Sequence, residues 1–150
     1  MKTLRNEECR RELIERLNTL TPDAKPGWGK MNVEQMLSHL VQSGEMPFEM
    51  SVPDRSSWLS RTLIKTLVLY VVPVPKEVKT SAEMDQQRKG RPPLGFDIDR
   101  ANLVESINKL GTIATAHRCL DHPFFGPMST NEWCRLAYKH ADHHLRQFGV

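Results

Sequence analysis

At 150 residues the chain is sized for one domain around one core, and its 39% apolar and 26% charged residues exclude a disordered chain, a collagen-like repeat and a Cys-stapled miniprotein. Its 21 basic and 18 acidic side chains are interleaved, leaving a formal charge of +3 that selects no partner and forms no basic face of the kind a nucleic-acid module presents. No stretch approaches the roughly 18 apolar residues of a membrane span, and the opening MKTLRNEECRRELIERL carries charge where a signal peptide would place its apolar core, so a cytoplasmic protein with no membrane or nucleic-acid partner is expected.

Residues Thr3 to Leu20 read as a first helix, with Leu13, Leu17 and Leu20 at helical spacing. The segment TPDAKPGWGK, with two prolines and two glycines, ends it. A second helix is predicted from Asn32, where Asn32-x-x-Gln35 is a capping-box arrangement, to about Met46 before Pro47. Its apolar stripe is Val33, Met36, Leu37, Leu40 and Gly44.

Trp58 to Val72 fits either a helix or, through LVLYVV, a strand, and its length favours the helix. This stretch is more apolar than one face of a small bundle requires, so a homodimer built on it is expected. Pro73 to Phe96 is rich in Pro, Gly and charge, long enough for a functional or partner-facing loop. Asp99 then reads as the cap of a helix carrying Leu103, Ile107, Leu110, Ala114 and His117, the last placed to interact with the helix dipole. After HPFFGP, Ser129-x-x-Glu132 forms a second capping box and opens a last helix running to about Phe148. Four main helices and no confident strand give an all-α fold, a four-helix bundle.

The last helix carries the chemistry. In YKHADHHLRQFG, His140 and His144 lie one turn apart, so both imidazoles can address one ion. Neutral imidazole suits zinc, nickel, iron or copper. Two ligands make a poor site, and a third must come from elsewhere. His39, His117 and His122 are the candidates, and periodicity does not choose among them, since His39 lies well round its helix from the apolar stripe. The cysteines 9, 119 and 134 form no CxxC pair, and His117, Cys119 and His122 match no familiar zinc module. No GxSxG elbow supplies a nucleophile. Lys30, Lys139 and Arg146 are candidates for steering an anion.

The patterns GWGKMNVEQMLSHL and HPFFGPMSTNEWCRLAYKHADHHLRQFG resemble the DinB/YfiT-like superfamily of metal-binding four-helix bundles, in a bacterial branch known as a domain of unknown function. The resemblance spans nearly the whole chain, and its most specific part is the HxxHHxxQ spacing. By motif position it implies His39, His140 and His144 as ligands of one divalent metal, zinc first, with nickel, iron or manganese as alternatives. It further implies an open coordination position that activates water or a low-molecular-weight thiol against a small-molecule substrate, as in hydrolysis or thiol transfer. His143 and Gln147 would stand behind the ligands and orient the nucleophile. A metal- or ligand-binding module without turnover is the competing reading.

Overall fold

The computed structural model describes residues 1–49, 52–76 and 81–150. Four α-helices, α1 (Glu7–Asn18), α2 (Val33–Glu45), α3 (Phe96–Thr112) and α4 (Thr130–Gln147), are joined by a π-helical stretch between α2 and α3, at Ser60–Ile64 and Leu67–Val71. The fold is all-α, with no strand among the described residues beyond an isolated bridge between His122 and Gly126. Among those residues no helix is long and apolar enough to cross a membrane.

The capping boxes set the helices that matter most. The Asn32 side chain accepts from the Gln35 N–H at 2.8 Å while Gln35 Oε1 accepts from the Asn32 N–H at 3.1 Å. Ser129 and Glu132 make the same exchange at the start of α4. Each reciprocal pair satisfies backbone donors that the first helical turn leaves without partners. Other boundaries move. α1 starts at Glu7, not Thr3, because Asn6 adopts the extended cap conformation and accepts from the Cys9 N–H. α3 starts at Phe96 after Gly95, whose φ of 127° favours glycine. Asp99 is therefore already helical and fully buried, and its Oδ2 accepts from the Leu94 N–H at 2.8 Å instead of capping the helix. α3 ends at Thr112, which leaves Ala114 and His117 in the following turn and gives His117 no place at a helix terminus.

α2 and α3 share the broadest contact, α1 lies against α3 and α4, and α2 crosses α4. At the α2–α3 crossing a Cβ on Gly44 would stand 2.1 Å from Ser106 Oγ, so glycine sets how closely these helices approach. Leu13, Leu17, Met36, Leu37, Leu110, Trp133 and Leu145 fill the core. The 58–71 stretch is helical, as its length predicts, with wide π turns and the Lys139 ammonium on the carbonyls of Val68 and Val72. It buries Leu69 but leaves Trp58 79%, Leu63 64% and Val71 68% exposed.

Over 81–95 the long connection before α3 is packed on α2; residues 77–80 lie outside the described residues. Gln42 donates to Glu83 O and accepts from Gln86 and the Arg91 N–H, while Ser38 Oγ donates to Arg91 O. This strap buries the side of α2 that the apolar stripe leaves bare, so Ser38, His39 and Gln42 are as buried as the stripe itself.

Candidate metal centre

Three imidazoles converge where α2 crosses α4. His140 Nε2 lies 3.1 Å from His39 Nε2 and 3.1 Å from His144 Nε2, and His39 and His144 are only 6% and 7% exposed. Burial holds all three below the ordinary imidazole range, His144 at about 3, and the neighbouring rings add to the effect at His140 and His144. At neutral pH the three rings are uncharged and each offers one lone pair.

The partners of the outer nitrogens fix which nitrogen that is. His39 Nδ1 sits 3.0 Å from Met84 O, which can only accept, so Nδ1 carries the proton. His144 Nδ1 lies 2.7 Å from Gln147 Oε1, and the amide orientation is set in turn because Gln147 Nε2 donates to Trp28 O at 2.5 Å. Both rings therefore direct an Nε2 lone pair at His140 Nε2, which has at most one proton to give. At least one buried acceptor is left without a donor, a costly arrangement that a cation relieves.

The two separations from His140 fit as well. Two nitrogens bound at about 2.0–2.1 Å to one ion, at angles of about 90–110°, stand about 2.8–3.4 Å apart. The observed 3.1 Å separations fall within that range. His39, His140 and His144 are the one group of three close metal-ligating side chains among the described residues, and they could hold a divalent metal.

The chain belongs to the DUF1569 family. That family is described as "Protein of unknown function (DUF1569)", and its model matches residues 3–149. No curated protein and no solved structure matches the chain.

In this DUF1569 chain His117 and His122 stand apart from the cluster, while His143 and Gln147 adjoin it. His122 Nδ1 accepts the N–H groups of Phe124 and Phe125, and its ring packs against Trp133 and Phe125, so it builds the HPFFG turn. His117 lies beside Phe48 on the surface. His143 sits edge-on to Trp28, with centroids 5.7 Å apart, and lines a cleft at the side of the centre. Gln147 bridges His144 and Trp28 O. Glu132 is held by its capping box, as its spacing predicts, and lies 3.5 Å from Lys65.

Two functional groups escape sequence reasoning because they are backbone carbonyls, Met84 O and Trp28 O. The Gly-Trp-Gly turn brings the second one in. The Gly27 N–H donates to Gln147 O at 2.7 Å, and Gly29, at φ +78°, has its Cβ position 2.7 Å from Gln147 Nε2. A side chain there would push the amide off His144. The glycine pair in GWGK was the available signal, and it pointed only to a turn.

Proposed function

We propose that this chain is a metal-dependent enzyme built on a four-helix bundle of the DinB/YfiT-like type, with His39, His140 and His144 holding one divalent ion, zinc in the first instance. The observation that carries this reading is the pair of fixed Nε2 lone pairs directed at a third imidazole nitrogen with at most one proton. Bound there, a divalent ion supplies Lewis acidity, polarising a substrate oxygen or lowering the pKa of a water or a low-molecular-weight thiol, which suits hydrolysis or thiol transfer. The protein's own part is orientation: Met84 O aligns His39, Gln147 aligns His144, and the neutral rings leave the ion's charge uncompensated. A non-catalytic metal-binding module is the second reading, favoured by the burial of His39 and His144.

Metal analysis of untagged protein should return one equivalent, and His140→Ala or His144→Ala should each abolish it. Full retention in both variants overturns the site. In the cobalt-substituted protein, azide or a small thiol should perturb the visible spectrum by entering the coordination sphere. A spectrum indifferent to every such ligand transfers the reading to the module without turnover.

A further inference from the structure

The three cations offered by the sequence for steering an anion separate in the structure. Lys139 is engaged by the carbonyls of Val68 and Val72, and Lys30 is exposed. Arg146 lines a cleft of about 320 Å³ whose walls include Trp28, Pro73, Pro75, Lys76 and His143. No carboxylate is among its lining residues.

Two cations, Lys76 and Arg146, line this cleft. The Lys76 ammonium stands 4.4 Å from the Trp28 ring centroid and pairs with no acid among the described residues. Arg146 shares Asp142 with Arg16, at 2.6 and 2.7 Å, so the single carboxylate lies between two guanidinium groups, and Arg146 Nη1 makes no hydrogen bond among the described residues. The Trp28 indole N–H is buried and has no partner among them either, in contrast to the Trp133 N–H, which donates to Leu120 O. The remaining walls, the indole and two prolines, are flat and apolar, and the volume lies at the small end of ligand sites.

We infer that this cleft is a subsite for a small organic carboxylate, with its anionic end between Lys76 and Arg146 and its flat apolar body against the indole and Pro73 and Pro75. The cleft is coupled to the three-histidine cluster through the protein itself: Trp28 O holds Gln147, Gln147 holds His144, and the His143 and His144 rings are 5.1 Å apart. As the substrate subsite of the metal centre the inference rests on the function proposed above; as an anion site it stands without it.

The test follows the indole N–H signals of Trp28, Trp58 and Trp133 by nuclear magnetic resonance, with Trp28 assigned through Trp28→Phe, in metal-free and in zinc-loaded protein. Benzoate should move the Trp28 signal saturably in both forms, and benzyl alcohol, which keeps the ring and lacks the charge, should bind at least about tenfold more weakly. Lys76→Glu, on an exposed loop, and Arg146→Gln should each weaken benzoate by about tenfold as well. No saturable shift with benzoate, equal response to the alcohol, or unchanged affinity in both variants overturns the subsite. A protein that takes benzoate and binds no zinc retains the subsite and loses the metal centre, and one that binds zinc and ignores benzoate does the reverse.

Discussion

Gln147→Met asks whether the amide between His144 and Trp28 is what presents the second ligand. Gln147 is 3% exposed, with Oε1 2.7 Å from His144 Nδ1 and Nε2 2.5 Å from Trp28 O. Methionine is similar in length and shape but neither donates nor accepts appreciably, so the substitution leaves the imidazole N–H and the Trp28 carbonyl without partners. Two neutral hydrogen bonds at about 0.5–1.5 kcal/mol each, plus part of the desolvation cost of the two orphaned groups, give a loss of about 2–4 kcal/mol in the metal-free protein. At about 2–4 °C per kcal/mol for a chain of this size, the melting temperature should fall by about 4–16 °C. Zinc affinity should fall separately, by about 10–100-fold, because the partner that fixes the tautomer and direction of a ligating histidine is gone. Competition against a fluorescent chelator reads the affinity, and urea unfolding in chelator reads the stability. Gln147→Glu separates the two effects, since a carboxylate still accepts from His144 but cannot donate to Trp28 O: stability should fall while affinity stays within a few-fold of the native chain. Native zinc affinity in Gln147→Met would refute the reasoning even if stability fell as expected.

Two further outcomes are expected. Burial lowers His122 to about 4 from an ordinary 6.5. The unfolded chain therefore takes up this proton below pH 6.5 while the folded chain does not until about 4, so the contribution is intact above pH 6.5 and is lost as pH falls towards 4, with a slope of up to about 1.4 kcal/mol per pH unit. Urea unfolding of the metal-free protein at several pH values between 7 and 4.5 should show a slope that His122→Phe reduces by close to one proton; parallel slopes would contradict the assignment. The exposed side of the 58–71 stretch, with Trp58, Leu63 and Val71, is the expected seam of a homodimer, so light scattering at tens of micromolar should give twice the 17.3 kDa chain mass and Leu63→Lys should halve it. A native chain at the monomer mass rules the dimer out.

The limits of the sequence reading show at particular residues. Asn32 with Gln35 and Ser129 with Glu132 lie three apart on one chain, and those contacts form wherever the helices form, so both starts were legible. Asp99 has the right chemistry for a cap but loses that place to Gly95, because the positive φ there lets the helix start four residues sooner. His117 continues a helical period that the backbone abandons at Ile113, where the chain turns extended. In both cases the pattern of side chains was correct and the backbone ended or started the element for its own conformational reasons.

By itself the sequence determined an all-α chain, the helix that carries His140 and His144 one turn apart, and the glycine turn ahead of α2, because each depends on neighbours within a few residues. It could place His39 on a helix but not choose it over His117 or His122 by periodicity. That choice belongs to the tertiary structure: the strap on α2 brings Met84 O to a histidine 45 residues away, and the turn before α2 brings Trp28 O to an amide 119 residues away. Periodicity records which way a side chain points from its own helix axis. It carries no information about which distant carbonyl arrives opposite, and it is those carbonyls that set the protons on His39 and His144 and direct their free nitrogens to one point.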